Sequence, residues 1–291
     1  MLILLADAFQ ADLPKRLEAF GQVTQDIGRV GEAEIVIVRS KTKVGKDMID
    51  AAPKLKFVIR GGVGVDTIDV PYAESKGITV VNTPEASSVA VAELAFAMMA
   101  AMPANIVAAD VSMKQGKWLK KELERTELMG KTLGLIGIGR IARELAVRAK
   151  AFGMRVVAYD KYVEKSDAAE MMSLEQVYAQ SDYISIHTPL TDETRGMINA
   201  ASIAKMKKGV RLVNTCRGPV VVVADVAAAL ASGQLAGFAT DVYDKEPPEG
   251  SPLLTAPNAL MTPHIGASTA ENLVRLGDCI VDRVKAYAAK K

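Results

Sequence analysis

Leu133-Gly134-Leu135-Ile136-Gly137-Ile138-Gly139-Arg140-Ile141-Ala142 is the stretch whose reading decides the fold. An apolar run enters a turn built on two glycines, and a helical stretch over 141–152 leaves it. The next apolar run, 154–159, is closed by Asp160, 21 residues beyond Gly139 (160 − 139 = 21). Strand, glycine turn, helix, strand and acid in that order form the pattern of a dinucleotide-binding βαβ unit. Gly137 permits the tight turn out of the strand. Gly139 lets a pyrophosphate approach bare backbone at a helix N-terminus, where Arg140 and Ile141 begin the helix and complete this part of the cofactor site. Ala142 stands where the fingerprint has a third glycine and is still small enough for close helix–strand packing. Asp160 can accept hydrogen bonds from adenosine ribose hydroxyls. A 2′-phosphate there would place like charges about 4 Å apart, costing roughly 4 kcal/mol per charge pair at an effective dielectric of 20. NAD is therefore favoured over NADP, although Lys161 and Lys165 lie near enough to soften the repulsion.

The turn lies mid-chain, which leaves over a hundred residues upstream for a substrate domain. Short apolar runs at 2–6, 34–38, 57–59 and 79–81 alternate with helical stretches at 13–20, 46–51 and 71–75, with Gly21 and Gly77 placed to end helices. The rhythm repeats downstream with strands at 133–136, 155–159, 183–186, 210–213 and 237–240. Such alternation predicts an α/β protein of two doubly wound parallel sheets. One is a flavodoxin-like substrate domain (1–86 plus 267–291) and the other a Rossmann dinucleotide domain (87–266), with an active-site cleft between them. The stretch 88–99 is apolar on nearly all sides and must be buried all round. It is expected to pack under the nucleotide domain and against a second subunit, giving a homodimer through residues 87–129. A closing helix is expected over 268–289, with Ser268 or Thr269 near its N-cap.

Composition narrows the function classes. Of the 291 residues 49% are hydrophobic and 24% charged, and the net charge of +2 carries no electrostatic footprint for nucleic acid. The longest apolar stretch, 87–102, contains Glu93 and is too short to span a bilayer. The opening Met1-Leu2-Ile3-Leu4-Leu5 has no basic lead and stops at Asp7, so it does not read as a signal peptide. Cys216 and Cys279 lack metal-ligand spacing and fit a reducing cytoplasm. The expectation is a cytoplasmic protein without a metal, a membrane anchor or a nucleic-acid partner.

Three segments at expected strand ends carry the chemistry. Arg217 lies in Val213-Asn214-Thr215-Cys216-Arg217-Gly218, Glu246 in Asp241-Val242-Tyr243-Asp244-Lys245-Glu246-Pro247-Pro248, and His264, one of two histidines, in Leu260-Met261-Thr262-Pro263-His264-Ile265-Gly266-Ala267-Ser268. With Val38-Arg39-Ser40, Gly62-Val63-Gly64-Val65-Asp66, Asn82-Thr83-Pro84, Gly116-Lys117-Trp118 and His187-Thr188-Pro189-Leu190, the chain resembles the D-isomer-specific 2-hydroxyacid dehydrogenases over nearly its whole length, and most of all their phosphoglycerate-oxidising members. The resemblance implies that Arg217, Glu246 and His264 are catalytic. The spacings of 29 (246 − 217) and 18 residues (264 − 246) suit the family pattern. Oxidising a 2-hydroxy acid means removing the hydroxyl proton while hydride leaves C2. A neutral imidazole, unperturbed pKa about 6.5, is poised to take that proton. Glu246 would orient the ring, and the planar fork of Arg217 would grip the substrate carboxylate. The resemblance further implies that Asp241 meets the nicotinamide carboxamide, that Thr188, Pro189 and Thr215 line the nicotinamide side, and that Gly266 and Ala267 leave room beside it. His187 is expected to line the cofactor pocket.

For the substrate, two first-domain strands end in arginine, at Arg39 and Arg60. Paired guanidinium groups at the carboxyl edge of a parallel sheet suit a phosphate, and the backbone amides of Gly62, Val63 and Gly64 suit a carboxylate. Solvated loop charges, or pairing with Asp66 and Asp69, remain the alternative. Thr67 after Asp66, and Leu119-Lys120-Lys121 after Trp118, depart from the family pattern. The expected reaction is NAD-dependent oxidation of D-3-phosphoglycerate to 3-phosphooxypyruvate, the first step of serine synthesis. The alternatives are a glyoxylate or hydroxypyruvate reductase, or a non-catalytic dinucleotide-sensing corepressor or scaffold. Only 27 residues follow His264 (291 − 264), so the regulatory domains of longer members, and feedback inhibition by serine, are not expected.

Overall fold

The computed structural model describes residues 1–290, which divide into two compact units, 1–90 with 267 onward and 91–266. In the first, five parallel strands, β1 (Leu2–Leu5), β2 (Gln22–Thr24), β3 (Ile35–Val38), β4 (Phe57–Arg60) and β5 (Thr79–Asn82), lie in the order β2-β1-β3-β4-β5. The order reverses beside β1, as in flavodoxin-like sheets. LILL and IVIV are buried at every position, as a sheet covered on both faces requires. Successive side chains serve opposite faces. Ile3, Leu5, Ile35, Ile37 and Ile59 meet Leu276, Ile280 and Val284 of the C-terminal helix (Ala270–Ala288). Leu4, Val36, Val38 and Val58 instead meet Ile49 and Ala73, which lie on α2 (Lys46–Asp50) and α3 (Val70–Ser75). Thr269 caps the C-terminal helix, its hydroxyl accepting from Asn272 N–H at 3.1 Å.

Two local expectations divide. Gly77, at φ 73°, follows α3 as a left-handed terminator. Gly21 does not end a helix: α1 (Leu13–Leu17) stops earlier, and the glycine is needed because a Cβ there would lie 2.4 Å from the Met1 carbonyl oxygen. That close approach lets Gln22 N–H reach the same oxygen at 3.0 Å and starts β2, an exposed edge strand with no apolar run to reveal it.

The chain passes from the first unit to the second within α4 (Ser88–Ala104), at Ala90–Val91; α5 (Ile106–Lys114) follows, and the second unit contains a seven-stranded, all-parallel sheet. Its strands are β6 (Thr132–Ile136), β7 (Arg155–Tyr159), β8 (Glu170–Met171), β9 (Tyr183–Ile186), β10 (Val210–Asn214), β11 (Leu235–Thr240) and β12 (Ala259–Met261). They run β12-β11-β10-β9-β6-β7-β8, so β6 is flanked by β7 and β9 and marks the point where the winding reverses. Open α/β sheets bind ligands at the carboxyl edge of that point. Gly134 inside β6 has a packing reason: a Cβ would lie 2.2 Å from Ser181 Oγ and 2.8 Å from Val177. In α4, Ala92, Ala95, Met98 and Met99 join the core formed by Leu133, Leu135, Ala142 and Leu145. Val89, Glu93 and Ala97 form a stripe that the chain leaves exposed. On α5, Ile106, Val107, Val111 and Met113 are about half exposed, from 47% to 58%. Among the described residues no single helix is long and apolar enough to cross a membrane; α4 and α5 together meet the length and composition but bend by 63°.

Candidate active site

The glycine turn leaves β6 and meets α6 (Arg140–Ala151) at the winding reversal. Gly137 adopts φ 92°, and a Cβ on it would lie 2.5 Å from the His187 carbonyl oxygen, so only glycine lets the turn pass the exit of β9. Its N–H donates to Tyr159 O at 2.8 Å. Gly139 is the N-cap of α6 without a side-chain cap, and nothing lies within 4 Å of where its Cβ would be. Uncapped N–H groups beside open space are what an anion needs at a helix N-terminus. Arg140 is exposed and Ile141 half-buried at the start of that helix.

Asp160 is anchored to the turn. Its Oδ2 accepts from Ile138 N–H at 2.9 Å, and Oδ1 accepts from Tyr162 and Val163 N–H at 2.9 and 3.2 Å. A lone pair on Oδ2 remains for an external hydroxyl. Across the turn His187 follows β9, its Nε2 2.8 Å from Ser185 Oγ, and burial holds its pKa down to about 4, so the ring is neutral. Pro189 O accepts from Thr194 Oγ1 at 2.6 Å, folding the next loop back. Thr215 Oγ1 is buried without a hydrogen bond, and Thr188 Oγ1, beside Cys216, makes none of ordinary geometry. Buried hydroxyls left this way are costly in an isolated protein and fit a polar ligand that completes them. The turn, the anchored acid and these hydroxyls fit a dinucleotide.

A second group gathers on the loops after β10, β11 and β12. His264 Nδ1 lies 2.8 and 3.0 Å from the Glu246 carboxylate oxygens, with both side chains about 40% exposed (39% and 41%). The Nδ1–H donates to the acid, leaving Nε2 as the ring's acceptor. Three contacts produce this pairing. Gly218 packs so tightly that a Cβ would lie 2.0 Å from the Tyr243 carbonyl carbon, which sets the Arg217 loop on the Glu246 loop. Tyr243 OH donates to Thr262 O at 2.7 Å, tying the Glu246 loop to the His264 turn. Asp241, 1% exposed, accepts from Thr262 Oγ1 at 2.6 Å and from Ile265 and Gly266 N–H at 2.8 Å each. That clamp holds His264 in the left-handed region at φ 54°. Arg217 donates from Nη1 to Cys216 O at 2.6 Å, and Asn214, 1% exposed, braces the loop by donating to Arg217 O and accepting from Cys216 N–H.

In the first unit, Arg39 and Arg60 stand at the ends of the paired strands β3 and β4. Asp7 accepts from the Arg39 backbone N–H, and Arg60 Nη1 donates to Gly61 O. Gly62, at φ 139°, donates to Thr83 Oγ1 at 2.9 Å. Among the described residues no acceptor meets the N–H groups of Val63 or Gly64. Ala267 begins the return of the chain into this unit, its carbonyl accepting from Asn272 Nδ2 at 2.6 Å.

Sequence reasoning missed Asn214, Tyr243, Thr262 and Ser185. Each is a polar residue in or just after a strand, which was a usable signal, but strand ends are commonly polar and nothing local names the partner. Asp241, for which the resemblance implies a contact with the nicotinamide carboxamide, accepts three hydrogen bonds from the His264 turn within the protein.

Residues 96–266 match the sequence profile described as D-isomer specific 2-hydroxyacid dehydrogenase, NAD binding domain. The chain is 42% identical over 297 residues to a D-3-phosphoglycerate dehydrogenase of Methanocaldococcus jannaschii, covering 97% of this chain and 56% of the relative. It is 47% identical over 259 residues to a hydroxypyruvate reductase of Thermotoga maritima, covering 88% of this chain and 85% of that one. Among solved structures, D-lactate dehydrogenase of Aquifex aeolicus complexed with NAD and lactic acid superposes with a TM-score of 0.89 at 31% identity, covering 100% and 96% of the two chains. The chain spans about half the length of the phosphoglycerate dehydrogenases it matches.

Proposed function

The chain belongs to the D-isomer specific 2-hydroxyacid dehydrogenase family, and from that premise we propose that it oxidises D-3-phosphoglycerate to 3-phosphooxypyruvate with NAD, in serine synthesis. The observation that carries the chemistry is the His264–Glu246 pair. With Nδ1 committed to Glu246, Nε2 takes the proton from the substrate hydroxyl and returns it in the reverse direction. Glu246 stabilises the imidazolium formed. Arg217 binds the carboxylate and polarises the 2-oxygen through its fork. NAD, when bound, supplies the hydride acceptor. Gly137, Gly139, Arg140 and Ile141 receive its pyrophosphate, Asp160 its ribose, and Thr188, Pro189, Thr215, Gly266 and Ala267 border the nicotinamide, with His187 behind the turn. Asp241 acts on His264 through the turn it clamps.

Substrate identity rests on the first unit. Arg39 and Arg60 at one sheet edge supply phosphate contacts, and the amides of Val63 and Gly64, with Gly62 shaping the loop, supply carboxylate contacts. The kinship to phosphoglycerate dehydrogenases supports this assignment. The near full-length likeness to a hydroxypyruvate reductase favours a second reading, reduction of an unphosphorylated 2-oxo acid. A substrate panel separates them. We expect kcat/KM to be highest for 3-phosphoglycerate and to fall at least about tenfold in Arg60→Ala, the loss of one charge-assisted contact. Equal rates with hydroxypyruvate or glyoxylate, unaffected by the substitution, would select the reductase. We also assign α4, α5 and the following residues to 129 as a homodimer interface, supported by the exposed Ile106, Val107, Val111, Met113 and Trp118. Two free thiols, Cys216 and Cys279, support a cytoplasmic setting.

A further inference from the structure

Two loops leave the second sheet on either side of β6. One follows β7 and carries Asp160 and Lys161; the other follows β9 and carries Glu193. An ion pair joins them, with Lys161 Nζ 2.6 Å from each Glu193 carboxylate oxygen. The pair therefore spans the exit of β6 on the Asp160 side, where the adenosine ribose is assigned. A second cation at this turn is also matched: Arg143 donates to Ile138 O and to Asp167 Oδ1, both at 3.1 Å. Lys165, the other lysine of the loop, is exposed. Of the acids at this turn, Glu193 holds Lys161 and Asp167 holds Arg143, while Asp160 is held by backbone N–H groups.

We propose that Glu193 is a specificity-determining residue for the cofactor: by holding Lys161 it denies a 2′-phosphate the cation next to Asp160 and keeps the site selective for NAD over NADP. The inference rests on the assignment of the NAD site above. As a stability device the pair counts for little, since solvent screens an exposed lysine–carboxylate contact. Its effect is on charge. The ribose hydroxyls of NAD need only an acceptor, which Asp160 provides. A 2′-phosphate needs a cation, and the adjacent one is already clamped by an acid that itself repels the phosphate. Neutralising Glu193 frees Lys161 and removes one repelling carboxylate together, so one substitution changes affinity for the phosphorylated dinucleotide far more than for NAD.

Calorimetric titration of the full chain with NAD+ and with NADP+ tests this without turnover. In wild type, NAD+ binds and NADP+ binds much more weakly. In Glu193→Gln we expect NADP+ affinity to rise about tenfold at low ionic strength with NAD+ binding retained, and the gain to shrink as salt screens it. Adding Lys161→Gln to that variant should cancel the gain. An unchanged NADP+ affinity in Glu193→Gln, a gain that survives loss of Lys161, or loss of both nucleotides would overturn the proposal. Failure of the wild-type chain to bind NAD+ would instead overturn the site assignment beneath it.

Discussion

His187 and His264, the two histidines of the chain, are placed in opposite environments, and the contrast defines what each can do. His264 is exposed and held by a carboxylate, so it can exchange protons with a ligand. His187 is half-buried beside Ser185; desolvation holds its pKa down to about 4, and it stays neutral. In the window between its folded value and the ordinary one near 6.5, the unfolded chain binds a proton that the folded chain does not. Stability therefore rises with pH across that window and is lost as pH falls from about 6.5 toward 4, by at most about 1.4 kcal/mol per unit. Denaturation of the ligand-free chain at pH 4.5–7 should show this slope, and His187→Gln should flatten it. An identical slope in the variant would mean that His187 titrates normally. The type and spacing of Arg217, Glu246 and His264 made them legible from the chain alone. The contact that orients His264 was legible too, but the clamp by Asp241 was not, because three acceptor contacts across 21–25 residues leave no local pattern.

At the scale of elements, the strands that enclose the cores were the readable part. Continuous apolar runs such as LILL, IVIV and LGLI, alternating with helical stretches, read as strands covered on both faces, and all three are buried throughout. The short edges β2 and β8 were not readable, since three or two half-exposed residues carry no periodicity. Helix ends were misread where a glycine served a close approach instead of a left-handed turn, as at Gly21. Gly218 makes the same point with functional consequence. A methyl group there would collide with the backbone of Tyr243 and Asp244, at 2.0–2.4 Å, and backbone cannot step aside cheaply. Gly218→Ala should destabilise the chain by about 1–3 kcal/mol and, by parting the Arg217 and Glu246 loops, lower kcat by more than the folded fraction explains. Full stability together with full turnover would show that the loops do not depend on this contact.

At the scale of the whole molecule, the two doubly wound sheets follow from alternation of apolar runs and helices, and the strand orders 2-1-3-4-5 and 12-11-10-9-6-7-8 put each glycine-rich loop at a carboxyl edge. The stretch 88–99 was legible as too apolar for one face, but the apolar surface the chain leaves exposed lies mostly on α5, at Ile106, Val107, Val111 and Met113, whose helix the sequence did not reveal. Sedimentation at micromolar concentration should give the mass of two chains, and paired charges at Val107 and Val111 should release monomers; a wild-type monomer would remove the interface. The most direct test of the account is turnover and NADH binding in His264→Gln. With Nε2 as the proton acceptor, kcat should fall by about 10²–10⁴-fold, the usual contribution of a positioned acid–base group, while NADH affinity changes little. Turnover near the wild-type rate would place the proton transfer elsewhere and contradict the assignment of the site.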